Sequence, residues 1–86
     1  MEIKQMQYFL AVAESSSFTT AAENLYISQS SLSKRILALE KELNVQLFDR
    51  SKRKVVLTHA GKALFEHARV LNQTYQLMLA ELGEFR

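Results

Sequence analysis

The chain has 86 residues, 48% of them hydrophobic, which is the length and apolar content of one small globular domain. It contains no cysteine, no proline and only two glycines, which excludes disulfide frameworks, thiolate metal sites and a cysteine nucleophile and disfavours a multi-turn β-sandwich. No apolar run approaches the roughly 18 residues that a membrane span requires, and the first residues lack the pattern of a secretory signal. We therefore expect a cytoplasmic, mostly helical domain.

Positive charge is concentrated in one quarter of the chain. Residues 34–54 carry seven basic and three acidic side chains, a net charge of +4, whereas residues 1–33 carry a net charge of −2 and residues 55–86 balance. Local concentration of this kind is typical of phosphate binding, and the alternative is an ordinary solvated basic surface.

The first 25 residues predict two amphipathic helices separated by a run of serines. Apolar residues at spacings of three and four predict a helix from about Ile3 to Glu14, which the serines 15–17 would end. Ser17 suits the N-cap of a second helix running to Leu25, because its hydroxyl can accept a bond from a free backbone N–H. The two apolar faces consist of Ile3, Met6, Leu10 and Ala13, and of Phe18, Ala21, Ala22 and Leu25.

A third helix is predicted from Gln29 to Leu43, with Ser28 as its N-cap. Asn44 follows its last apolar residue, and asparagine is tolerated in the left-handed conformation that ends helices. The polar face opens without an acidic residue, although ordinary surface helices favour acidic side chains in their first turn. The core stripe consists of Leu32, Ile36, Leu39 and Leu43.

Two short β-prone runs follow, at residues 45–50 and 55–58, and predict a small hairpin. Its tip, residues 51–54, carries three basic side chains and no glycine, so the type of turn stays open.

Thr58 suits the N-cap of a last helix from His59 to about Leu82. The preceding elements are too small to cover its long apolar stripe, so we expect its second half to pack on a second copy of the chain. The alternative is a helix that folds back or frays. The stripe is a heptad seam that consists of Leu64, Ala68, Leu71, Tyr75, Met78 and Leu82.

Two short helices joined by a tight connection, then a hairpin, are typical of a winged helix-turn-helix, whose second helix enters the major groove of DNA. Arg53 is the predicted minor-groove residue, because arginine enters narrow minor grooves readily. Arg50 suits the same groove or the backbone, and Lys52 and Lys54 would meet phosphates or water. The alternative is a polar surface that is merely solvated. The residues that would reach base edges are Gln29, Ser30, Ser31, Ser33 and Lys34.

Residues 18–33, which read FTTAAENLYISQSSLS, resemble the helix-turn-helix of LysR-type transcriptional regulators. Three later stretches, 39–40 (LE), 47–50 (LFDR) and 57–61 (LTHAG), resemble further motifs of that family in the same order and spacing. The resemblance covers the whole chain. It implies a mainly α fold, a winged helix-turn-helix of three helices plus a two-stranded wing, followed by a long linker helix.

The resemblance also implies two sets of DNA-contacting residues. The base-reading positions are Gln29, Ser30, Ser33, Lys34 and Arg53. The positions that touch or frame the backbone are Thr20, Ser31, Arg35, Arg50 and Thr58, to which the basic tip adds Lys52 and Lys54. The sequence departs from the family where Ser30 replaces a frequent proline and Lys52 a frequent glycine.

By the same resemblance, the chain would act in a bacterial transcription regulator that binds interrupted palindromes of double-stranded DNA as a homodimer, with tetramers common among full-length members. Residues 1–58 would form the DNA-binding domain and residues 59–86 the linker helix, whose copies would pair antiparallel. A C-terminal effector-binding domain would lie outside this chain, and a small-molecule effector would act only through it. No cofactor, metal or membrane partner is expected.

Three alternatives belong to other functional classes. A winged-helix or coiled-coil module that binds only protein would not need a basic quarter beside an uncharged helix start. An enzyme is not supported, because His59 and His67 would lie about 80° apart around a helix and no acid pair, phosphate loop or nucleophile–base pair is visible. RNA binding is disfavoured because most aromatic residues fall on apolar stripes.

Overall fold

Three short helices, a two-stranded hairpin and one long helix follow one another in the computed structural model, which describes residues 1–51 and 53–86. The strands pair antiparallel, with Phe48 opposite Leu57 and Asp49 opposite Val56. This mainly helical architecture is the predicted one. The elements of the described residues are α1 (Ile3–Ser15), α2 (Phe18–Leu25), α3 (Gln29–Leu43), β1 (Phe48–Asp49), β2 (Val56–Leu57) and α4 (His59–Gly83).

Side-chain hydroxyls begin three of the four helices, as predicted. Ser17 accepts a hydrogen bond from the backbone N–H of Thr20, and Ser28 accepts one from Ser31, both at 3.1 Å. The hydroxyl oxygen of Thr58 accepts from the N–H of Gly61 at 3.0 Å. Each bond satisfies one of the N–H groups that the first turn of a helix leaves free, and so fixes where the helix starts.

Three helix ends turn through a left-handed residue. Asn44 has φ 56°, as predicted. Ser16 (φ 54°), in the serine run expected to end α1, and Tyr26 (φ 58°) adopt the same conformation, which the sequence did not predict. Glycine and asparagine are the usual residues there, because other side chains are strained. Helix α1 accordingly extends one residue beyond the predicted Glu14, to Ser15.

Phe48 brings the hairpin into the helical core. Its ring centroid lies 5.4 Å from that of Phe9 and 5.8 Å from that of Phe18, and the side chain is fully buried. Two residues of the predicted core faces, Ile3 and Leu43, are instead exposed, because each lies at an outer end of its helix. The fully buried large side chains are Phe9, Val12, Leu32, Ile36, Leu39, Leu47 and Phe48.

Helix α4 divides into a packed part and an exposed part. Leu64 packs against the core and Ala68 is 0% exposed, so these two residues of the predicted seam are covered by the chain itself. Ala68 therefore has no surface left for a partner, which corrects its assignment to the dimer interface. Beyond it, Leu71, Met78 and Leu82 are about half exposed on one continuous helix that does not fold back. In the described residues, no helix has the combined length and apolar character of a membrane span.

The substitution Gly61→Ala tests the close packing of α4 on the hairpin. A Cβ at this position would lie 2.1 Å from the backbone oxygen of Leu47, which cannot rotate away. We expect the free energy of unfolding, measured by urea denaturation, to fall by at least about 2 kcal/mol.

Gly83→Ala is the matched control, because an added Cβ there meets no atom within 4 Å. We expect it to change stability by no more than about 0.5 kcal/mol. Equal stability of the two variants would contradict the packing at Gly61.

Candidate nucleic-acid interface

The first turn of α3 presents an uncharged polar surface, and the second turn adds a lysine. Its inner face is held in the core by Leu32 and Ile36, which leaves Gln29, Ser30 and Lys34 exposed on the other side. The first turn contains no acidic residue. Of the residues predicted to reach base edges, only Ser31 and Ser33 are half-buried.

The start of α2 contacts the start of α3 through side chains. The hydroxyl of Thr19 donates a hydrogen bond to Oε1 of Gln29 at 3.2 Å, and both residues are exposed. Nothing in the sequence favours Thr19 over its neighbour Thr20, whose side chain is also exposed. The contact depends on where the two helices start, which is set by their caps.

The wing lies beside this pair of helix starts. Arg53 and Lys54 line the same surface depression as Thr19 and Gln29, together with residues 15–18. Both basic side chains are exposed. The fold therefore brings Gln29, one of the predicted major-groove residues, beside Arg53, the predicted minor-groove residue. Lys52, the remaining basic residue of the tip, lies outside the described residues.

Arg50 has contacts within the protein. Its Nη1 and Nη2 atoms each donate to Oε1 of Glu40 at 3.3 Å, and its guanidinium lies 5.0 Å from the ring centroid of Phe18. The side chain is 34% exposed. These contacts join the wing to α2 and α3, a role that the sequence did not predict for Arg50.

Glu40 is the buried acceptor of this network. The backbone N–H groups of Leu47 and Phe48 donate to its Oε2 at 2.7 and 3.3 Å, while Arg50 occupies Oε1. Glu40 can be buried, with only 8% of the residue exposed, because three groups donate hydrogen bonds to its carboxylate. The sequence did not predict a buried role for Glu40, since nothing in the spacing shows that the chain returns to this residue.

The remaining residues predicted to contact the DNA backbone differ in their contacts within the protein and in their exposure. Thr58 caps α4 and also donates to the carbonyl oxygen of Gln46 at 2.5 Å, so its hydroxyl is used inside the fold. The guanidinium of Arg35 lies 5.5 Å from the ring centroid of Tyr8, but the residue is exposed. Thr20 is exposed beside the cap of α2. Arg35 and Thr20 thus remain accessible from outside.

Comparison with known proteins decides the family. Residues 3–62 match the family described as "Bacterial regulatory helix-turn-helix protein, lysR family". The chain belongs to the LysR family. This confirms the resemblance seen in the sequence, and it confirms that the chain is not an enzyme, because the LysR proteins are transcription regulators.

Individual LysR relatives agree with this assignment. The HTH-type transcriptional regulator TfdT of Cupriavidus pinatubonensis is 49% identical over 71 residues, which are 83% of this chain and 31% of that protein. The structure "BenM_DBD/catB site 1 DNA Complex" superposes with a TM-score of 0.95 at 38% identity, covering 99% of this chain and 96% of that one. Full-length CbnR complexed with its target DNA has a TM-score of 0.86 at 38% identity, covering 94% and 28%. The chain spans between about a quarter and a half of the curated relatives' length.

Removal of the buried carboxylate tests the link between α3 and the wing. Glu40→Ala would leave two backbone N–H groups and the Arg50 guanidinium without their acceptor. We expect the free energy of unfolding, from urea denaturation, to fall by about 2–3 kcal/mol.

Glu42→Ala is the comparison variant. Glu42 pairs with the N-terminal ammonium at 2.6 Å, but its side chain is 47% exposed, so its loss should cost no more than about 1 kcal/mol. A Glu40→Ala variant as stable as Glu42→Ala would show that the buried network contributes little.

Proposed function

We propose that the chain binds double-stranded DNA sequence-specifically, as the DNA-binding domain of a bacterial transcription regulator. The observation that carries this proposal is the single surface on which the start of α3 and the basic wing lie side by side, with Gln29 and Arg53 both exposed. Two structures at 38% identity with nearly complete overlap are, by their descriptions, complexes of a DNA-binding domain with DNA.

In this proposal α3 enters the major groove, which is about 12 Å wide and admits one helix. The Gln29 amide can pair with the edge of adenine, the hydroxyls of Ser30 and Ser33 can donate or accept, and Lys34 can reach guanine or a phosphate. Arg53 enters the adjacent minor groove, where a narrow A·T-rich segment attracts a guanidinium. Each assignment uses a side chain at the front of α3 or at the wing tip.

Phosphate contacts hold the domain on the duplex without reading its sequence. Thr20, Arg35 and Lys54 are exposed and suit this role, and Lys52 and the half-buried Ser31 are proposed with them. The remaining two predicted contacts, Arg50 and Thr58, already make hydrogen bonds within the protein, which join the wing to α3 and cap α4. Their approach to a phosphate is a secondary part of the proposal.

The exposed part of α4 is the proposed dimer interface. Leu71, Met78 and Leu82 lie at heptad spacing with the half-buried Tyr75, and burial of such a stripe against a second copy removes apolar surface from water. Antiparallel pairing of two α4 helices would give a symmetric dimer, which suits an interrupted palindrome.

We propose that the DNA-binding domain comprises residues 1–58 and the linker helix residues 59–86, with one refinement. The linker helix begins at His59, but its turns up to Ala68 pack on the core and belong structurally to the winged domain. Effector binding by a C-terminal domain, and assembly into a tetramer, are proposed only for a full-length regulator.

Gln29→Ala and Arg53→Ala test the proposed base contacts. We expect each to weaken binding to a selected duplex by about 1–3 kcal/mol, because one specific contact is lost in either case. Fluorescence anisotropy across a salt series gives the affinity, and log K of the parent should fall by about 0.9 per phosphate contact for each unit of log salt. The duplex is obtained by selection from a randomised library and compared with its shuffled sequence.

Two exposed residues of α4 provide matched controls, Gln73→Ala for the glutamine and Arg69→Ala for the arginine. We expect both to bind as the parent does. If the parent binds neither duplex at low salt, the DNA proposal fails and a protein-binding module becomes the better interpretation. If Gln29→Ala and Arg53→Ala bind like their controls, the assignment of these contacts is wrong.

Leu71→Glu tests the proposed dimer. A charge in the seam would have to be buried without a partner, so we expect a shift from dimer to monomer in sedimentation equilibrium. Gln73→Glu adds the same charge on the opposite side of α4 and should leave the parent's dimer intact. An unchanged Leu71→Glu dimer, or a monomeric parent, would contradict the seam.

A further inference from the structure

We propose that Thr19 is a positioning residue for Gln29, and that its hydroxyl sets how strictly the chain reads one base pair of each half-site. This inference rests on the proposed function and extends it to a residue outside the predicted DNA-contacting sets. The observation behind it is the 3.2 Å hydrogen bond from the Thr19 hydroxyl to Oε1 of Gln29.

The two residues are brought together by the starts of their helices. Thr19 is the second residue of α2, whose N-cap is Ser17, and Gln29 is the first residue of α3, whose N-cap is Ser28. The capping bonds are made by the serines, so the Thr19 hydroxyl is not needed to begin either helix. Its bond to Gln29 instead joins side chain to side chain, on the surface that also holds Arg53.

The bond limits the orientation of the glutamine amide. Rotation about the last torsion of a free glutamine is broad and roughly two-fold, so its oxygen and nitrogen can exchange places. With Oε1 directed to Thr19, Nε2 lies on the far side of the amide carbon and retains both N–H donors. The oxygen retains one lone pair, which is enough for the bidentate contact with adenine N6 and N7.

An ordered side chain also loses less conformational freedom when DNA binds. Gln29 is exposed, so without the bond to Thr19 its long side chain would sample many rotamers. A contact already formed in the free protein reduces that cost and favours the base edge that matches the held amide. Thr19 therefore acts on base preference through Gln29, without contacting the base.

The experiment uses the 86-residue chain and a duplex selected from a randomised library. Every base pair of one half-site is varied in turn, and affinities are measured for the parent, Thr19→Val, Gln29→Ala and the double variant. Valine has the shape of threonine without the hydroxyl, and the site is exposed, so the fold should be retained. Thr19→Ser, which keeps the hydroxyl, is the rescue variant.

We expect Thr19→Val to reduce discrimination by about three- to tenfold at the base pair where Gln29→Ala abolishes it, and nowhere else. The double variant should match Gln29→Ala, and Thr19→Ser should restore the preference. Thr20→Val removes the neighbouring hydroxyl and should weaken all duplexes equally, as loss of a phosphate contact does.

The outcomes separate the inference from the proposed function. A parent that enriches no sequence overturns the proposed function, and the inference with it. A parent that selects DNA while Thr19→Val keeps full discrimination overturns the inference alone. Equal weakening of every duplex by Thr19→Val would show a phosphate contact and overturn it too, as would a second effect of Thr19→Val in the Gln29→Ala background.

Discussion

The position of the wing depends on one buried carboxylate. Glu40, near the end of α3, accepts hydrogen bonds from the first residues of the returning chain, Leu47 and Phe48, and from Arg50 just beyond them. These bonds direct Phe48 into the core and place the Arg50 guanidinium over Phe18. A pair of two-residue strands has too few hydrogen bonds between the strands to be stable alone. The hydrogen bonds to the Glu40 carboxylate therefore hold the hairpin against the helices.

The same arrangement explains why the charged residues of the basic segment, residues 34–54, have different roles. Arg50 pairs with Glu40 where the wing meets the helices, whereas Arg53 and Lys54 are exposed toward the tip of the wing. The wing therefore pairs its basal arginine with a carboxylate and presents the basic side chains of its tip to solvent. The tip lies beside Gln29, so charge and polar groups share one surface.

Local signals in the sequence predicted the helices well, because serine and threonine caps act within four residues. Ser17, Ser28 and Thr58 cap the helices as expected. Contacts between distant residues were not predictable, since neither spacing nor composition shows that Glu40 meets the wing or that Thr19 meets Gln29.

Helix ends and burial were predicted less well. Tyr26 ends α2 in a left-handed conformation and is 95% exposed, although tyrosine is neither a usual helix terminator nor a usual surface residue. Ala68 fits a heptad pattern as well as any residue of α4, yet it lies in the core. A periodic stripe shows which side of a helix is apolar. It does not show at which residue packing against the chain's own core ends and packing against a second copy would begin.

The close approach at Gly61 has a mechanical consequence. The backbone of α4 at Gly61 lies against the carbonyl oxygen of Leu47, and Thr58 bonds to Gln46 in the same place, so the base of α4 is anchored directly on the root of the wing. The helix packs on the core as far as Ala68 and continues beyond it through residues 69–83, about 22 Å at 1.5 Å per residue. The direction in which this exposed part leaves the core is therefore set where α4 meets the root of the wing, so the wing and the proposed dimer interface are held in one relative orientation.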